Sequence, residues 1–142
     1  VTNKKYYCLV GNESRRLLQN VSRDDFKGEC ILAPYPRTMG TEVPTYAEMC
    51  TQELRQISFT NTYMDSCTTV ALQAAIDLQV DEIYIIGYDG YQGQVLSEKE
   101  MDLTNENRTL FSAFANATGK ILTSLTPTLY KEIEVKSIYQ YL

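Results

Sequence analysis

The chain has 142 residues, of which 44% are hydrophobic and 22% charged, and it contains no histidine. That length and balance suit one globular domain, since domains mostly run from about 100 to about 200 residues and bury a core of that size without staples. With 13 basic against 18 acidic residues the net charge is −5, and no segment concentrates Lys or Arg. The basic footprint of a nucleic-acid binder is therefore missing.

Short apolar runs bounded by breakers predict strands at Tyr6 to Val10, Glu29 to Ala33, Glu82 to Ile86 and Lys120 to Ser124, with Arg55 to Phe59 a weaker candidate. The run at Glu82 to Ile86, β-branched and closed by Gly87, carries the strongest pattern. Continuous rather than alternating hydrophobicity predicts strands covered on both faces, as in a parallel sheet. A short helix is expected from Glu13 to Asn20. A second, from Ser66 to Leu78, would bury Cys67, Val70, Ala71, Ala74, Ala75 and Leu78, capped by Asp65 or Ser66. A third, from Ser97 to Ala117, would turn Leu103, Leu110, Phe111 and Phe114 inward and stop at Gly119. Pro34 to Pro44 reads as an irregular loop. The tail Val135 to Leu142 reads as an edge strand or as a segment that docks on a neighbour. The alternation of strand and helix predicts a single α/β domain over residues 1–142, Rossmann-like and doubly wound, with a mostly parallel sheet of five to six strands.

Four cysteines, Cys8, Cys30, Cys50 and Cys67, leave a disulfide framework open by their even number. No C-x-x-C spacing occurs, and Cys8, Cys30 and Cys67 sit in apolar surroundings, so reduced thiols acting as small core residues are expected. The sequons at Asn12, Asn20, Asn107 and Asn116 would be glycan acceptors in a secreted chain. Asn12 directly follows a strand and Asn107 lies in mid-helix, both poor sites for a glycan, and neither a signal peptide nor a membrane-spanning run is expected from the residues given. The expected setting is cytoplasmic. The abrupt start at Val1 suggests a piece of a longer protein.

In open α/β sheets, ligands bind beyond the carboxyl ends of the strands. That rule nominates Asn12 and Ser14 after the first strand, and Arg37 in the proline-rich loop. It also nominates Ser66 and Thr68 at a helix start, and Tyr88, Asp89 and Tyr91 after Gly87. Free amides at a helix start favour phosphate, Arg37 would add charge-assisted hydrogen bonds, and tyrosines both stack and donate. Plainer roles stand beside these: turn glycines at Gly11 and Gly87, caps at Ser66 and Asp89, a solvated charge at Arg37. The dinucleotide fingerprint G-x-G-x-x-G is absent. Without histidine there is no Ser-His-Asp or Cys-His arrangement. Asp65, Asp89 and Glu106 could act as acids or bases, but nothing in the sequence singles them out and no spaced carboxylate pair marks a metal or a dyad, so no catalytic residue and no metal site is expected in this chain.

The run DSCTTVALQAAIDLQVDEIYIIGYDGYQG (residues 65–93), with SLTPTLY and KSIY after it, resembles the C-terminal Rossmann-like domain of bacterial 4-hydroxy-2-oxovalerate aldolase-like (HMG-CoA lyase-like) proteins. The resemblance implies an accessory domain of a lyase, binding a nucleotide, sugar phosphate or acyl substrate beside an N-terminal TIM-barrel domain. The divalent metal would belong to that barrel, and this domain would need no cofactor. The same stretch is similar to bacterial sialyltransferases that use a nucleotide-activated sugar. That likeness implies a donor-phosphate contact at Tyr91, a nucleotide contact near Ser66, and a turn matching Ser124 to Thr128 that includes Thr126. It also implies a histidine base that this chain does not have. A structural or oligomerisation module, suggested by the tyrosine-rich tail, is the remaining alternative; a homo-oligomer would then be the partner.

Overall fold

A computed structural model describes residues 4–10, 28–34, 50–90 and 97–141. The chain divides into two compact units, Val1–Asp77 and Leu78–Leu142.

In the first unit, β1 (Tyr6–Leu9), β2 (Glu29–Leu32) and β3 (Cys50–Glu53) form a parallel sheet in that order. Tyr7 sits opposite Cys30 and Leu9 opposite Leu32. β2 is the central strand, and Cys30, Ile31 and Leu32 are all buried. Their unbroken hydrophobicity is what a strand covered on both faces requires. The pairing of β2 with β3 slips between Cys30 and Ile31.

The third strand lies upstream of Arg55 to Phe59, where the sequence pattern placed it. Leu54 N still donates to Leu32 O at 3.0 Å, but the ladder ends there. Ile57 and Phe59 are buried while Gln56 and Ser58 are exposed, which is the alternation that imitates a strand. The backbone donor of Ser58 is taken by a side chain, the Gln73 Oε1 at 2.8 Å, instead of a neighbouring strand.

Helix α1 (Cys67–Asp77) packs against β1 and β2. Ser66 starts it, accepting from Thr68 N through its side chain (3.2 Å) and from Val70 N through its carbonyl (3.1 Å). The buried residues are Thr68, Thr69, Val70, Leu72, Gln73 and Ala74. The expected stripe is therefore corrected: Cys67, Ala71 and Leu78 are exposed. Polar Thr69 and Gln73 are tolerated inside because each is hydrogen-bonded, Thr69 Oγ1 donating to Tyr63 O at 2.6 Å.

In the second unit, β4 (Tyr84–Ile85), β5 (Thr123–Ser124) and β6 (Glu134–Val135) form a second parallel sheet in that order. The six strands of the described residues thus lie in two sheets of three, and the expectation of five to six strands in one sheet is corrected. The runs at Glu82 to Ile86 and Lys120 to Ser124 contain β4 and β5, but each strand is only two residues long because ladder length depends on local backbone. Gly87, at φ +82°, turns the chain away just after β4. Before β5, the amide of Lys120 is held by the Thr118 hydroxyl of the preceding helix end. Tyr84 and Ile86 are exposed, the latter at 64%, so the strand with the strongest sequence pattern is not covered on both faces. The tail supplies edge strand β6, then a 3-10 turn over Ile138–Tyr141.

Helix α2 (Glu98–Thr118) begins and ends where its signals stand. Ser97 Oγ accepts from Glu100 N at 3.2 Å while Glu100 Oε2 accepts from Ser97 N at 3.4 Å, a capping box that satisfies two first-turn amides. At the other end Gly119 adopts φ +68°, and its amide donates to Ala115 O at 2.9 Å. A side chain there would be strained, so glycine stops the helix. Leu110, Phe111 and Phe114 are buried and Leu103 half-buried. Each of the three buried side chains contributes roughly 1.5–3 kcal/mol through area removed from water.

Candidate functional site

The second unit brings two loops together beyond the carboxyl ends of β4 and β5. Gly87 to Gly90 leaves β4, and Leu125 to Tyr130 leaves β5. Parallel strands end side by side, so their outgoing loops become neighbours, and hydrogen bonds join them. Thr126 Oγ1 accepts from Gly87 N at 3.2 Å and donates to Asp89 Oδ1 at 3.3 Å, which uses its donor and one of its two acceptor lone pairs. Leu129 N donates to Asp89 O at 2.8 Å, and the Thr128 hydroxyl donates to Tyr88 O. Within the second loop, Ser124 Oγ donates to Thr126 O at 2.7 Å and Tyr130 N to Thr128 Oγ1 at 3.2 Å.

Gly90 fits this junction for two reasons. Its φ is +83°, and a β-carbon would stand 3.1 Å from Leu129 Cβ. Beneath the loops lies an aromatic ladder. Tyr88 meets Phe111 edge to face at 5.5 Å, and Phe111 meets Tyr130 the same way at 5.3 Å. The Tyr130 hydroxyl accepts from Asn107 Nδ2 at 3.1 Å. The ladder anchors the loop pair to α2. Asp89 is exposed, with Tyr88 and Thr126 half-buried beside it. The result is a carboxylate and a hydroxyl held at the rim of two strand ends by a firm apolar base. Such a rim can accept hydrogen bonds from ligand hydroxyl or amino groups.

Of the residues nominated by sequence, the structure brings Tyr88, Asp89 and Thr126 together. Ser66 and Thr68 belong to the first unit, where Ser66 caps α1 and Thr68 is buried. Asn12, Ser14, Arg37 and Tyr91 lie outside the described residues, as do the short helix at Glu13 to Asn20 and all but Pro34 of the proline-rich loop. Sequence reasoning missed Thr128, Tyr130 and Asn107 as supports of the loops. Thr128 and Tyr130 stand inside SLTPTLY, where Thr126 alone is a candidate ligand residue. Asn107 figures in the sequence as a mid-helix sequon, and its amide is spent on Tyr130.

Cys8, Cys30 and Cys67 are thiols. Cys30 is buried and Cys8 half-buried, as expected of small core residues, whereas Cys67 is exposed at the first position of α1. Burial pushes the Cys8 thiol up to about 11, with Cys67 and then Cys30 adding to the shift. Among the described residues no three His, Cys, Asp or Glu side chains are grouped so as to hold a metal ion. None of the described helices is long and apolar enough to cross a membrane.

Fold and site together define a small α/β protein with two parallel sheets and a loop pair at the strand ends of one of them. No protein-family model, no curated protein and no solved structure matches the chain.

Proposed function

We propose that this chain is a ligand-binding accessory α/β domain, taking a nucleotide, sugar phosphate or acyl compound at the loops beyond β4 and β5. The observation that carries the reading is the convergence of Asp89 and Thr126 on a junction closed by Gly90 and seated on the Tyr88–Phe111–Tyr130 ladder. Side chains fixed in this way meet a ligand without first losing conformational entropy, which favours binding. Placement of the protein as the C-terminal domain of an aldolase-like lyase rests on the likeness of residues 65–93 and of SLTPTLY. Its partner is then a metal-dependent barrel in the same polypeptide. A parent reading frame without an upstream barrel would remove that placement and leave the binding reading intact.

The test is a thermal-shift screen of the chain against nucleotides, nucleotide sugars and sugar phosphates, repeated on Asp89→Asn and Thr126→Val. A ligand at 100 times its dissociation constant adds about 2.7 kcal/mol to stability, and both variants should shrink that gain. Silence across the panel, or a hit that both variants retain in full, would overturn the assignment of the site. The exposure of Val135, Ile138 and Tyr139, the last at 80%, favours a second reading, an oligomerisation module. Light scattering that returned a stable dimer with no ligand response would support it.

A further inference from the structure

We draw no further inference here: the strongest candidate, the exposed apolar patch of the second unit's sheet at Tyr84, Ile86 and Ile121, carries nothing because nothing in the structure shows what covers it.

Discussion

Replacing Gln73 by Met should loosen the segment Arg55 to Phe59 while leaving α1 intact. Gln73 is 2% exposed, and Met fills nearly the same volume with good helix propensity. What is lost is the amide. Its oxygen accepts from Ser58 N at 2.8 Å and from Ser58 Oγ at 3.2 Å. Its nitrogen donates to Ser58 Oγ at 3.1 Å and to Asp77 Oδ1 at 3.0 Å. A net intramolecular hydrogen bond contributes roughly 0.5–1.5 kcal/mol. Ser58 and Asp77 are exposed, so water replaces part of what they lose. The expected cost of Gln73→Met is therefore about 1–3 kcal/mol, read as a lower urea midpoint with an unchanged slope. Ser58→Ala should cost less, because Gln73 keeps both the Ser58 amide and Asp77. The local signature is hydrogen exchange at the Ser58 amide, which should accelerate in Gln73→Met beyond the change at β2 amides. An unchanged midpoint together with unchanged Ser58 exchange would refute the idea that a side chain replaces a strand here.

Three further outcomes are expected. Ser97→Ala removes half of the capping box and should cost about 1 kcal/mol in the same denaturation assay; helicity lost only near residue 98 by amide exchange would locate it. Gly90→Ala should destabilise by about 1–3 kcal/mol through its positive φ. It should cost more than Gly87→Ala, which shares the positive φ but meets open space; equal losses would show that the Leu129 contact is unimportant. For Cys8, the folded thiol lies at about 11 against an ordinary 9.0. The folded state favours the neutral form, so its contribution is complete below pH 9 and is lost as pH rises from about 9 to about 11. The difference in stability between the native chain and Cys8→Ala should change over that window and be flat below it. Alkylation at pH 8 should label Cys67 before Cys8.

Much of the fold was legible because its signals are local. The runs at Tyr6 and Glu29 formed strands, since β-branched or apolar residues flanked by breakers have few other uses. The start near Ser97 and the stop at Gly119 were legible for α2 because capping chemistry acts within one turn, whereas the part of Glu100 in the capping box came only with the structure. Of the two loops at the strand ends, Gly87, Tyr88 and Asp89 could be nominated from the strand-end rule, and Thr126 from the resemblance over Ser124 to Thr128. Pairing between segments was not legible. Cys50 to Glu53 pairs with β2, while the Ser58 amide of Arg55 to Phe59 goes to Gln73, on a helix further along the chain. That Asp89 would share a hydroxyl with Thr126 depended on two short strands lying parallel and ending side by side. Local sequence thus determined the helices α1 and α2 and the strands β1 and β2, through steric preference and one-turn hydrogen bonding. Only the tertiary structure decided that the strands divide into two sheets and that Asn107 serves Tyr130. Those outcomes turn on which buried donors and rings find partners from distant parts of the chain.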